Sequence, residues 1–202
     1  MPLKIAVLAS HTGTNLRALH AAQRPDAFTV DLVVSNNGSS GALEYAREHG
    51  IPHAHLSGRT HPDADALDQA MLAALRRHDI DLIVTAGYMK KVGPAALAAY
   101  DGRVLNVHPA LLPRHGGQGM YGLNVHRAVL EAGDTVSGAS VHLVTAEYDE
   151  GPVIARQEVP VLPADTPESL AERVLAAEHI LLPAVVHDVA TRGVFLSDFR
   201  DS

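Results

Sequence analysis

The sequence predicts an α/β fold: a doubly wound, mostly parallel sheet of Rossmann type with an antiparallel extension in its C-terminal half. Three observations predict it. Short, fully apolar runs alternate with amphipathic stretches through the first half, as expected of parallel strands covered on both faces. Right-handed crossovers then wind the sheet in both directions. Beyond residue 109 the pattern changes to a glycine- and proline-rich stretch, a helix and two longer strands.

The elements follow in order. Lys4–Leu8 is a strand and Thr14–Ala22 a helix. Asp31–Val34 is a strand, Gly41–His49 a helix and His53–Leu56 a short strand. Asp63–His78 is a helix, with Ala66, Leu67, Ala70, Met71, Ala74 and Leu75 at three- and four-residue spacing. Asp81–Thr85 is a strand, Pro94–Tyr100 a short helix opened by proline, and Val104–Val107 a strand. Leu123–Glu131 is a helix closed by Gly133. Ser140–Val144 and Val153–Val159 read as an antiparallel pair. Glu168–Ala190 is a long helix, broken or bent near Pro183. The 202 residues suit a single domain, read as two halves, 1–108 and 109–202.

Composition narrows the function. Hydrophobic residues make up 47% and charged residues 19%, enough for a real core. The net charge of −7 argues against non-specific nucleic-acid binding. With no cysteine, disulfides, thiolate metal sites and cysteine nucleophiles are excluded. The apolar run at the N-terminus is too short for a signal peptide, no stretch approaches a membrane span, and a cytoplasmic protein is expected.

In doubly wound sheets ligands bind at the carboxyl ends of strands. That directs attention to the residues after Leu8, Val34, Thr85 and Val107. The first such segment, Ser10-His-Thr-Gly-Thr-Asn15, joins a strand to a helix through a glycine turn. Free N–H groups at a helix start can bind phosphate; a plain N-cap by Thr12 or Thr14 explains the segment equally well. Asn106 and His108 lie two apart at a strand end and share one face. An amide beside an imidazole suits charge stabilisation and proton transfer at a carbonyl. Asp149-Glu-Gly151-Pro152 is good turn chemistry, and also a way to bring a carboxylate to His108. Spacing leaves both readings open. His53 and His55 share a strand face without a convincing third metal ligand, so no metal is expected. His142 lies on a strand that could face the site but reads better as a satisfied inner histidine, and Glu178-His179 could reach a ligand but reads better as an exposed helical face. His20, His49, His61, His78 and His187 read as ordinary surface. No G-x-S-x-G elbow offers a serine nucleophile.

Asn106-Val-His108-Pro-Ala-Leu-Leu-Pro113, followed by Asp149-Glu-Gly151, resembles the folate-dependent formyltransferases, whose pattern is N-x-H-P-S/A-L-L-P with a downstream D-x-G. The resemblance runs from Lys4 to about Arg192 and is nearest the single-domain branch acting in purine synthesis. Leu8–Leu16, Val34–Asn37, Ala86–Lys90, Gly138–Val144 and Ala177–His179 fit in order. It implies 10-formyltetrahydrofolate as co-substrate, 5′-phosphoribosylglycinamide as acceptor, and direct attack of the amine on the formyl carbon. It implies catalytic roles for Asn106 (donor to the oxyanion), His108 (as imidazolium) and Asp149 (holding His108 charged). It places the ribotide at Thr12, Gly13, Thr14, Asn15 and Glu178, and the folate at Met89, Lys90 and Val92, with Arg59 a candidate for its tail. Small-molecule partners only, and a monomer or homodimer, are expected.

His11 departs from the family's usual glycine, and Gln118 stands where one branch has lysine. The insert Gly116–Gly122 is expected to close over the phosphoribosyl end. Two relatives with the same Asn–His–Asp set, methionyl-tRNA formyltransferase and formyltetrahydrofolate deformylase, normally carry an extra domain and fit the length less well. A phosphate-binding regulatory module would use the Gly13 turn but has no need of the three polar residues.

Overall fold

The computed structural model describes residues 1–192. Seven strands form one sheet in the order β3-β2-β1-β4-β5-β6-β7. These are β1 (Leu3–Leu8), β2 (Phe28–Ser35), β3 (His53–His55), β4 (Leu82–Thr85), β5 (Val104–His108), β6 (Val136–Leu143) and β7 (Val153–Pro160). The first five run parallel; β6 pairs antiparallel with β5, and β7 with β6. The predicted fold class and its antiparallel extension are therefore both present.

Six helices cover the sheet: α1 (Thr14–Ala22), α2 (Gly41–Glu48), α3 (Ala64–Arg77), α4 (Pro94–Ala99), α5 (Leu123–Glu131) and α6 (Pro167–Arg192). Alternation along β1 assigns the two faces. Ile5 and Val7 join the core under α1, α2, α5 and α6; Ala6 and Leu8 join the core under α3 and α4. Both faces are dry, which is why the parallel strands read as unbroken apolar runs.

Most boundaries fall within a residue or two of the sequence reading, as hydrogen-bonded ends fray by that much. The larger differences have local causes. β2 begins at Phe28, earlier than expected, because Leu3 pairs with Phe28 and carries the ladder past the polar Thr29. β6 begins at Val136, four residues before the Ser140 start read from the sequence, and runs through Ser137 and Gly138. A Cβ at Gly138 would collide with the Gln157 carbonyl, so that position needs glycine for strand approach. α6 runs as one helix with Pro183 inside it, so of the two expected outcomes, a break or a bend, the break is absent. Its start is fixed by reciprocal Thr166 and Ser169 bonds and by Asp165, which accepts from Arg173 at 2.7 and 2.9 Å. Contrary to the sequence reading, α6 is long and apolar enough to cross a membrane, but here it packs on β6, β7, α1 and α5.

The sheet order reverses between β1 and β4: β1 leads outward to β2, whereas β4 continues to β5 on the other side. A crevice opens above such a switch point, and the loops after β1, β4 and β5 meet there.

Candidate active site

That crevice is a cavity of about 650 Å³. Its lining includes Thr12, Gly13, Thr14, Asn15 and Glu178 from the α1 side, Met89, Lys90 and Val92 from the β4–α4 loop, and Asn106, His108 and Asp149. The structure brings together every sequence-derived candidate except Arg59. Arg59 is exposed in the loop after β3 and lies outside the lining.

Gly13 is the N-cap of α1, in left-handed conformation with φ 73°, and no side chain caps the helix. The threonine cap considered from sequence is therefore not formed, and the first N–H groups stay available to an anion. A Cβ on Gly13 would lie 2.9 Å from Ala42 Cα, so this glycine lets α1 and α2 start side by side. Glu178 is 6% exposed, against the exposed helical face expected for it. It accepts from Asn15 Nδ2 at 2.7 Å. Burial raises its carboxyl to about 7, opposed by the Asn15 bond.

Ser10 fixes the spacing between this end and the β4–α4 loop. Its hydroxyl donates to Asn36 Oδ1 at 2.5 Å and accepts from the Met89 N–H at 2.8 Å. Lys91 joins the β4–α4 loop to the loop after β6, donating to the Ala146 carbonyl at 2.8 Å and lying over the Tyr148 ring.

At the β5 end, Thr85 Oγ1 donates to Asn106 Oδ1 at 2.7 Å, and Asn106 Nδ2 donates to His142 Nε2 at 3.0 Å. His142 Nδ1 donates to the Leu143 carbonyl at 2.8 Å. With this orientation Asn106 keeps a second N–H for a ligand. His142 Nε2 also lies 3.4 Å from Asp149 Oδ1. A proton on Nε2 would turn that contact into a hydrogen bond and oblige the Asn106 amide to reverse. Thr85 can follow, because its hydroxyl also reaches the Leu105 carbonyl at 3.2 Å.

His108 is 3% exposed. Its Nε2 donates to the His115 carbonyl at 2.8 Å, and its Nδ1 lies 3.5 Å from Asp149 Oδ2. Burial pushes His108 below its ordinary value, against the pull of Asp149 and of the His115 carbonyl. For Asp149, burial opposes ionisation, but His142, His108 and the Gly117 N–H together hold the carboxyl below its ordinary value. His126 packs nearby and is driven to about 4 by burial and by His108.

Sequence reasoning missed Ser10, Thr85, His142, His115 and Lys91. Each acts through contacts with residues distant in the sequence and carries no local periodicity. His142 alone had a usable signal, seven residues before Asp149 on a strand aimed at the same loop. Among the described residues no group of three or more His, Asp or Glu side chains is placed to hold a metal ion.

The formyl transferase family pattern matches residues 3–186, nearly the whole chain. The chain belongs to the formyl transferase family. Several relatives within it are named phosphoribosylglycinamide formyltransferase. The phosphoribosylglycinamide formyltransferase of Mycobacterium tuberculosis is 42% identical, over 96% of this chain and 87% of its own. That of Escherichia coli is 38% identical, over 91% and 85%. The chloroplastic form of Arabidopsis thaliana is 41% identical; this chain spans 64% of it, and 59% of the Vigna unguiculata form. The phosphoribosylglycinamide formyltransferase structure from Coxiella burnetii superposes with a TM-score of 0.86 at 38% identity, covering 95% of this chain and 89% of that one. In this family member the Asn106, His108 and Asp149 side chains face one cavity at the β5 end, with the Gly13 turn at the other.

Proposed function

We propose that this formyl transferase moves the formyl group of 10-formyltetrahydrofolate onto the amine of 5′-phosphoribosylglycinamide. The products are formylglycinamide ribonucleotide and tetrahydrofolate, a step of purine biosynthesis. The observation that carries the reading is one cavity with an uncapped helix start at one end and the Asn106–His108–Asp149 set at the other. The names of the relatives support it.

In this reading the ribotide phosphate lies at the N–H groups of Thr14 and Asn15, beside Thr12 and Gly13. Glu178 meets the ribotide's polar groups and ionises as they bind. The pterin lies against Met89, Lys90 and Val92, and the insert 116–122 covers the phosphoribosyl end. The amine attacks the formyl carbon, its lone pair forming the new C–N bond while the carbonyl electrons move to oxygen. The free N–H of Asn106 donates to that oxyanion. His108, as imidazolium, stabilises the same charge, with Asp149 holding it in its charged form. The proton lost by the attacking nitrogen reaches N10 of the folate as the old C–N bond breaks, carried by His108 Nδ1, Asp149 or water between them. No metal is needed for these steps. The reading includes a cytoplasmic location and a monomer or homodimer.

The test is direct. Purified chain is mixed with 10-formyltetrahydrofolate and the glycinamide ribotide, and tetrahydrofolate release is followed by absorbance. One formylated ribotide per tetrahydrofolate is expected. Donor turnover that ignores the ribotide, or no turnover at all, would overturn the assignment.

A further inference from the structure

α4 spans only the six residues Pro94–Ala99. A helix that short has little stability of its own and leaves its first N–H groups without partners inside it. Pro94, in the first turn, has no N–H to satisfy, and Gly93 before it has no side chain to cap with. The cap comes from another helix. Asp68 of α3 accepts from the Ala95 N–H at 2.6 Å and from the Ala96 N–H at 3.1 Å. Asp68 is 7% exposed. A carboxylate so buried is costly unless hydrogen-bonded, and its charge suits the positive end of a helix. Asp68 and α4 therefore depend on each other.

Gly93 belongs to the same contact. Its φ of −68° is open to any residue, yet a Cβ there would run into the Asp68 carboxyl. Glycine at 93 serves the close approach of α3 to the turn, not the backbone angle.

The capped turn bears directly on the cavity. Val92, next to Gly93 in the chain, shares a core with Met71, Leu72 and Leu75 of α3 and also forms part of the cavity wall. Leu97, on α4, lines the same cavity. Asp68 lies outside the lining and touches neither proposed substrate.

We infer that Asp68 is a positioning residue for the formyl donor: by capping α4 from α3 it sets where Val92 and Leu97 stand in the wall that meets the pterin. The placement of the pterin rests on the proposed function; the capping of α4 does not, and the experiment reads the two apart. The groups assigned to the ribotide, at the Gly13 turn and Glu178, stand on α1 and α6 and owe nothing to this contact. One substrate is therefore affected and the other is not.

Asp68→Ala, Asp68→Asn and Gly93→Ala are compared with the unsubstituted chain. Amide hydrogen exchange in the ligand-free proteins reads the cap. Titration calorimetry with tetrahydrofolate reads the wall, and steady-state rates give KM for each substrate. In Asp68→Ala, exchange speeds up through α4. Its Kd for tetrahydrofolate and KM for 10-formyltetrahydrofolate rise roughly ten-fold, the scale of a lost hydrogen bond to a charged group. Its kcat and ribotide KM change little. Asp68→Asn keeps one acceptor oxygen and falls between the two. Gly93→Ala crowds the carboxyl and shifts the same quantities, but adds nothing in the Asp68→Ala background, where its clash partner is gone. Should Asp68→Ala fail to fold, Gly93→Ala carries the test alone. Unchanged exchange or unchanged tetrahydrofolate binding in the folded variants overturns the inference. So does a ribotide KM that rises in step with the donor KM, which would mark Asp68 as holding the fold alone. An unsubstituted protein that binds tetrahydrofolate but formylates no ribotide sinks the proposed function and leaves the inference standing; one that binds no tetrahydrofolate sinks both.

Discussion

The two ends of the cavity are built by different means. The Gly13 end is made mostly of backbone: a left-handed glycine, two helix starts so close that a Cβ on Gly13 would lie 2.9 Å from Ala42 Cα, and one buried carboxylate from α6. The His108 end is made of side chains tied to one another across long stretches of chain. Thr85, Asn106 and His142 form one chain of contacts; Asp134, His115, His108 and Asp149 form another. Backbone anion sites need few specific side chains and bind without proton exchange. Chemistry at a carbonyl needs protons placed on particular atoms, and only side-chain networks do that. Substitutions at the two ends should therefore fail in different ways.

The largest effect is expected at the chemical end. His108→Ala should cost roughly a hundred-fold or more in kcat, the scale of a lost electrostatic stabiliser, with little change in thermal stability. Near-normal turnover would remove His108 from the reaction.

Glu178→Gln should act on stability at the binding end. The carboxyl is raised from 4.5 to about 7, so its folded value lies above its unfolded one. The stability it contributes is fully present below about pH 4.5 and is lost as pH rises through about 7. Gln cannot ionise and still accepts from Asn15. Unfolding in urea should show the variant more stable than its parent above pH 7, by up to roughly 3 kcal/mol, and nearly equal at pH 5. Equal stability at pH 8 would show that burial is not what shifts Glu178. In the same variant the ribotide KM should rise, while kcat falls less than in His108→Ala.

The smallest effect sharpens the contrast. Thr85→Val removes the donor that orients the Asn106 amide. It should lower kcat by roughly ten-fold, about the worth of one aligned hydrogen bond in the site, and leave KM for the ribotide unchanged. A shift in the ribotide KM with kcat intact would mean that the two ends are not separable.

The same division explains what the sequence made legible. The parallel half could be read element by element because Ile5, Val7, Ile83 and Val84 are buried in apolar runs, and because the glycine and proline punctuation at Gly13, Gly93 and Pro94 is local. Asn106 and His108 showed through the two-residue period of a strand. What stayed hidden depends on closure of the sheet. Glu178 sits on a helix whose apolar residues surround it almost completely, so no stripe told a buried carboxylate from an exposed one. His142 meets Asp149 only because β6 runs antiparallel to β5 and returns through the Gly151 turn. The His115–Asp134 contact joins residues 19 apart, through an insert with no periodicity. Arg59, offered for the folate tail, lies on the exposed loop after β3, outside the cavity lining.

The Ser10 hydroxyl binds the end of β2 through Asn36 and the β4–α4 loop through Met89. Under the proposed function it works as a rivet that holds the segment leading to Gly13, assigned to the ribotide, to the loop assigned to the pterin. Tightening around either molecule pulls on the same pin, so the first to arrive lowers the ordering cost for the second. Under that function the coupling between the two molecules is mutual, and it passes through a single oxygen atom.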